Sequence, residues 1–302
     1  MKGCYLKKNI VTKPCPRMLA MSVALILTLL SASFLSGCTQ SQDDQGRIDV
    51  IVSILPQKEM VEAIGGDSVN VTVMIPPGAS PATYDPTPSK LRAVSRADVY
   101  LMQGELPFEK AYRNRLEDVN PSMRIVDTSR NVRYITSESG RKDPHVWLSP
   151  TNMRYQAKTV ADTLSQLDVT GSTEYRERYE AYAKRLDTLD RNISQRFSEL
   201  NQTTFIAFHP AWAYLAKEYG LTQVAIQHEG NDPTPRQLQG IIETARNRSV
   251  KVIVVQAQFS RQHAEQVAKQ IDGVVLQLDP LAENYIDNMD DMTRRLADAL
   301  KG

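Results

Sequence analysis

Cysteine is scarce in this chain. Its 302 residues hold three, Cys4, Cys15 and Cys38, so everything beyond residue 38 lacks both a disulfide framework and a thiolate metal ligand. Histidine is nearly as rare, with four residues at 145, 209, 228 and 263, which makes each of them worth locating. Neither sign of charge is in excess: 36 Lys and Arg face 35 Asp and Glu, which excludes the basic footprint of a nucleic-acid binder. No G-x-S-x-G elbow and no glycine-rich phosphate loop is found, which removes the commonest hydrolase and nucleotide-binding readings. Long apolar runs are also missing, with one exception at the N-terminus.

That exception spans Met18 to Phe34. It is preceded by Lys2, Lys7, Lys8, Lys13 and Arg17 with no acidic residue among them, and followed by Leu35-Ser36-Gly37-Cys38. A basic region, an apolar core and small residues at a cleavage point make a secretory signal. Leu-Ser-Gly-Cys resembles the bacterial lipobox, in which the cysteine is lipidated. The expected division is residues 1–37 as lipoprotein signal peptide and 38–47 as a flexible tether, with a membrane lipid anchor at Cys38. An uncleaved transmembrane anchor is the alternative, because the run is near the lower limit for a span. In either case the remainder lies outside the cytoplasm, in a periplasm or at a cell surface. Cleavage removes five of the 36 basic residues and none of the 35 acidic ones, leaving 31 against 35 and a net charge of −4.

From residue 48 the pattern alternates short β-branched runs with amphipathic helical stretches, the signature of parallel α/β sheets. Strands are expected at 48–55, 69–75, 98–102 and 123–126, and again at 203–208, 221–227, 250–256 and 274–278. Between the two sets, Glu174 to Leu200 carries apolar residues at 175, 179, 182, 186, 189, 193, 197 and 200, with spacings of 4, 3, 4, 3, 4, 4 and 3. This is one long amphipathic helix, about 40 Å at 1.5 Å per residue. The expected fold is α/β with two lobes, each a parallel sheet flanked by helices, joined by one long helix: an N-terminal lobe at 48–170, the connecting helix at 171–201, and a C-terminal lobe at 202–302. Ligands of such sheets bind at the carboxyl ends of strands, so the default site is the cleft between the lobes.

Three residues fall at such places. His145 lies in the stiff stretch Asp143-Pro144-His145-Val146-Trp147-Leu148-Ser149-Pro150, just before a helix that Ser149 should cap and Pro150 should open. His209 directly follows a strand and precedes Pro210, from which a helix to Tyr219 is expected. Asp279 follows the last strand and also precedes a proline. Two imidazoles and a carboxylate suit a first-row divalent ion. From these residues alone a structural reading stands level with it, in which Asp279 caps a turn and His209 packs beside Trp212.

The loop Pro76-Pro77-Gly78-Ala79-Ser80-Pro81, Tyr84-Asp85-Pro86-Thr87-Pro88, the His145 stretch, His209-Pro210-Ala211-Trp212-Ala213-Tyr214 and Asp279-Pro280-Leu281-Ala282-Glu283 occur in that order. Together they resemble the zinc/manganese solute-binding lipoproteins of ABC importers, over essentially the whole mature chain. The resemblance implies one transported Zn²⁺ or Mn²⁺ held between the lobes by four motifs, a partner ABC permease, and no catalysis. His145, His209 and Asp279 stand at three of the motifs. At the fourth, the family commonly reads Pro-His where this chain reads Pro81-Ala82, and alanine cannot ligate. Glu229 and His228, in the loop from Gln227 to Pro233, and Glu105, after a first-lobe strand, are candidate replacements.

The expected function is therefore an extracytoplasmic divalent-metal receptor, a monomer, with affinity falling as pH drops through the histidine range. Two other classes are kept. One is a surface adhesion or interaction lipoprotein on the same fold with a degraded metal site, favoured by Ala82. The other is an enzyme using the two His and one Asp as an Fe²⁺ facial triad.

Overall fold

The computed structural model describes residues 46–227, 233–259 and 261–302. The expected signal peptide, most of the expected tether, Cys38, His228 and Glu229 lie outside the described residues. Residues 47–302 form one compact unit.

Its first half runs β1 (Ile48–Val52), α1 (Leu55–Gly65), β2 (Val69–Val73), α2 (Pro88–Val94), β3 (Val99–Met102), α3 (Pro107–Val119) and β4 (Arg124–Asp127). Then come α4 (Pro150–Leu167) and α5 (Ser172–Ser198). The second half runs β5 (Thr204–Ala207), α6 (Ala213–Glu218), β6 (Thr222–Ala225), α7 (Pro235–Asn247), β7 (Val252–Gln256), α8 (Arg261–Ile271), β8 (Val274–Leu278) and α9 (Tyr285–Lys301). Two four-stranded sheets result, ordered β2-β1-β3-β4 and β6-β5-β7-β8. Every pairing within them is parallel. This is the two-lobed α/β architecture expected, with the same strand order in each lobe.

Strands β3 and β7 are buried along their whole length, as parallel strands covered on both faces must be. Helix α5 turns Tyr175, Tyr182, Leu186, Leu189, Ile193 and Phe197 inward, the stripe its spacing predicts. These residues belong to one apolar cluster that also holds Val52 and Leu101 from the first sheet and Phe205, Val254 and Leu278 from the second. The core is thus continuous across the lobes, and α5 lies on its seam. A smaller cluster, including Ile206, Ile253 and Val267, is confined to the second lobe.

Local signals set the helix starts. Ser149 Oγ accepts from Asn152 N at 3.0 Å and Pro150 is the first helical residue, so α4 begins where the sequence places it. Helix α6 departs from expectation. It was expected from Pro210 but starts at Ala213, because the preceding amides are used elsewhere. Ala211 N donates to His209 O at 2.8 Å, closing a tight turn. Trp212 N donates to Gln223 Oε1 on β6, also at 2.8 Å. The turn leaves His209 clear of the helix and at the end of its strand.

Candidate metal site

The cleft is about 630 Å³ and takes its lining from both lobes. On the second sheet, His209 lies just past β5, Gln256 ends β7, and Asp279 follows β8, so three neighbouring strands deliver their carboxyl ends to one place. His145 comes from the long connection between β4 and α4, and that connection is fastened to the second lobe. Trp147 Nε1 donates to Pro280 O at 2.9 Å. Tyr285 Oη donates to Trp147 O at 2.7 Å. Tyr214 Oη accepts from Ile135 N and donates to Asp143 O, both at 3.0 Å.

The two imidazoles meet. His209 Nε2 is 3.3 Å from His145 Nε2, and the rings stand edge to face. Each ring is fixed from behind. Asp143 Oδ1 accepts from His145 Nδ1 at 2.7 Å and from its backbone N at 2.9 Å. Gln227 Oε1 accepts from His209 Nδ1 at 3.0 Å, and the ring stacks on Phe259. With both Nδ1 atoms donating to oxygen, both Nε2 atoms present lone pairs. Two lone pairs at this separation repel unless a cation lies between them. A proton is poorly held there: burial, and then the neighbouring His145, push the His209 imidazole from 6.5 down to about 4. A metal ion fits. Tetrahedral coordination with Zn–N of about 2.0–2.1 Å places two nitrogens about 3.3–3.4 Å apart.

The other expected residues are placed differently. Asp279 Oδ1 accepts from Gln258 Nε2 and Leu281 N, each at 3.0 Å. No group of three His, Cys, Asp or Glu side chains able to hold an ion occurs among the described residues, so the fold brings His145 and His209 together without Asp279. Glu105 lines the cleft but is engaged by Lys110 at 2.5 Å and Lys142 at 2.9 Å. Burial raises its carboxyl, and the two lysines outweigh that and hold it below the usual value. It is a bridge between lysines and not a ready metal donor. Ala82 lines the same cleft. Glu105 is carried on a loop pinned from the core: Glu109 is fully buried and accepts from Gln103 N, Gly104 N and Ser53 Oγ. Gly104 sits at φ +114°, and a Cβ there would meet Asp127 and Tyr134 at 2.6 Å, so only glycine serves.

Sequence reasoning gave no role to the groups that orient the imidazoles. Asp143 stood two residues from His145 and so had a local signal. Gln227 and Phe259 had none.

A model of the periplasmic component A of zinc-uptake complexes, ZnuA, matches residues 50–299. The chain belongs to the ZnuA family. A crystal structure of ZnuA superposes with a TM-score of 0.81 at 36% identity, over 84% of this chain and 99% of that one. The iron ABC transporter substrate-binding lipoprotein MtsA of Streptococcus pyogenes is 26% identical over 83% of this chain and 84% of its own length. The laminin-binding protein Lmb of Streptococcus agalactiae, described as having adhesin and metal-transporting activity, superposes with a TM-score of 0.78 at 26% identity, over 85% and 100% of the two chains. As a ZnuA-family protein, this chain is a metal-binding receptor serving the permease of an ABC importer. Among the described residues no helix is long and apolar enough to cross a membrane.

Proposed function

We propose that the protein captures one Zn²⁺ between His145 and His209 and is a monomer tethered to the membrane through lipid on Cys38, acting as a receptor and not as a catalyst. The observation that carries this reading is the 3.3 Å approach of two imidazole nitrogens whose other ring nitrogens are both committed to oxygen acceptors. Asp279 is the proposed third donor. Its Oδ1 is held by Gln258 and Leu281 N, so Oδ2 is the oxygen proposed to face the ion. Manganese is the rival ion, and two imidazoles favour zinc over it. The proposed extents are 48–170 for the first lobe, 171–201 for the connecting helix and 202–302 for the second. Glu229 and His228 are proposed as reserve donors for the position that Ala82 leaves without a ligand.

The test is calorimetry on the chelator-stripped full chain in detergent. One ion per chain at submicromolar strength is expected, with tighter binding of Zn²⁺ than of Mn²⁺. His209→Ala should weaken zinc binding at least about 100-fold, roughly 2.7 kcal/mol. Binding unchanged in that variant would overturn the assignment. Ala82 also favours an adhesion role on the same fold. That reading takes over if the wild-type chain binds neither ion yet binds a surface-immobilised matrix protein.

A further inference from the structure

This inference rests on the receptor reading and concerns what holds the first-lobe half of the site. Alanine at 82 cannot ligate, so His145 is the donor proposed from that lobe. The segment around it is fastened to the second lobe through Trp147, Tyr285 and Tyr214. A tie towards the first sheet runs through Lys142, three residues before His145, whose Nζ donates to Glu105 Oε1 at 2.9 Å. Glu105 thereby links the metal segment to the loop that follows β3.

That loop hangs on one buried carboxylate. Glu109 stands in the first turn of α3 and is fully buried. Its Oε1 accepts from Gln103 N at 2.5 Å and from Ser53 Oγ, just past β1, and its Oε2 accepts from Gly104 N at 2.7 Å. Glu105 is the next residue. The same turn of α3 is held to the Ala82 loop, with Phe108 N donating to Pro81 O at 3.1 Å. The partners that Glu109 bonds to are neutral. An amide or hydroxyl could accept such bonds at lower cost, because a charge buried without a counterion is penalised most.

What a carboxyl offers in exchange is two states. Ionised, both oxygens accept. Protonated, one of them becomes a donor, and either Gln103 N or Gly104 N then faces an O–H in place of a full lone pair. Burial pushes this carboxyl up to about 7 against its hydrogen bonds, so both states occur near neutral pH. The groups around it do not blur the change. Tyr100 of β3 shares Ser53 Oγ at 2.7 Å, and burial and then Glu109 push its phenol well above the usual value, so it stays protonated. Gln57 of α1 is neutral and serves Ser53 N and Leu101 O. Glu105 and Lys110 pair with one another at the cleft.

We propose that Glu109 is a positioning residue for the metal site: its ionised form fixes Gln103 to Glu105, so that Glu105 holds Lys142 and with it the His145 segment opposite His209, and its protonation slackens that hold. Zinc is bound more tightly by the form with Glu109 ionised. By reciprocity, zinc draws the proton off. The one covalent change is the O–H bond of Glu109, whose proton passes to the buffer. Glu109 itself does not touch the ion.

Calorimetry on the metal-free full chain in detergent, run from pH 6 to pH 8 beside Glu109→Gln, tests this. The glutamine keeps the shape and, like the protonated acid, turns a donor towards a backbone N–H. It should bind zinc about tenfold more weakly than wild type at pH 8 and about equally at pH 6. Near pH 6.5, zinc should release up to about half a proton more from wild type than from the variant, read in buffers of different ionisation enthalpy. Lys142→Met cuts the link farther along. It should weaken zinc at pH 8 and flatten the same pH dependence, although loss of a nearby positive charge would by itself tighten binding. The double variant should be little weaker than the worse single one. A cooperative melt shows that each variant is folded, and Lys142→Met carries the test alone if Glu109→Gln is not. Affinity profiles that stay parallel to wild type from pH 6 to pH 8, or additive losses in the double variant, overturn the inference and leave the receptor reading standing. Failure of wild type to bind zinc at any pH sinks the receptor reading itself.

Discussion

The two lobes share a strand order but not a chemistry. The first presents the cleft with charge: Glu105 bridged by Lys110 and Lys142, and His145 backed by the carboxylate of Asp143. The second presents neutral amides, and His209 is backed by Gln227 and stacked on Phe259. Each lobe therefore delivers one imidazole, His145 from the connection after β4 and His209 from the end of β5, with different electronic support. A carboxylate partner raises the basicity of a ligating imidazole more than an amide does, whereas burial, and then the neighbouring His145, keeps His209 unprotonated. The fold repeats because packing demands it. The walls differ because they were free to.

The largest expected effect tests whether the two imidazoles share one ion. If they do, His145→Ala should weaken zinc binding as much as His209→Ala, at least about 100-fold each, and the double variant should be little worse than either, because one bridged ion is lost only once. Independent, additive losses in calorimetry would mean that each histidine binds separately.

Next in size is the response of the metal-free protein to pH. His209 titrates near 4 when folded against 6.5 ordinarily, so its contribution to stability is complete above pH 6.5 and is lost as pH falls towards 4. Glu109 behaves oppositely. Burial pushes its carboxyl from 4.5 up to about 7, against hydrogen bonds that favour the ionised form. The folded state thus holds that proton more tightly, and stability is greatest below pH 4.5 and falls as pH rises to 7. Each effect is on the order of 3 kcal/mol at most. The slopes oppose one another between pH 4.5 and 6.5. Thermal melts should show His209→Gln losing stability as pH rises through that interval and Glu109→Gln gaining it. Parallel slopes would break the contrast.

The backing groups come third. Asp143→Ala should cost more zinc affinity than Gln227→Ala, both within about 10- to 100-fold. An inverted order would mean that the carboxylate does not set the stronger ligand. Smallest is Tyr285→Phe. It removes the hydrogen bond to Trp147 O, for a loss of about 1–2 kcal/mol in denaturant unfolding, with zinc stoichiometry unchanged.

Much of this was legible in the sequence for identifiable reasons. Helix α5 follows from apolar spacing of three and four, and the start of α4 from Ser149-Pro150, because both signals are local. His145 and His209 stood out through their proline neighbours, His145 just before a helix and His209 just past a strand. What could not be read depends on partners distant in the chain. Trp212 N meets Gln223, which moves the start of α6, and Trp147 meets Pro280 across 133 positions. Gln227 left no trace for a simpler reason: a glutamine just past a strand carries no pattern that separates an amide holding an imidazole from a solvated one. Asp279 was rightly placed past β8, but its engagement by Gln258 is a matter of tertiary geometry.

The continuous core along α5 bears on how the protein survives between deliveries of its ion. With apolar residues of both sheets in one cluster, the lobes have no separate route to unfolding, and melting should be a single cooperative transition. An ion bound at the edge of that core then stabilises all of it by mass action, about 2.7 kcal/mol when zinc stands at 100 times its dissociation constant. Outside the cytoplasm the chain is exposed to proteases that cut opened states. Receptors carrying metal would outlast empty ones, so the number of intact copies would itself follow the supply of the ion.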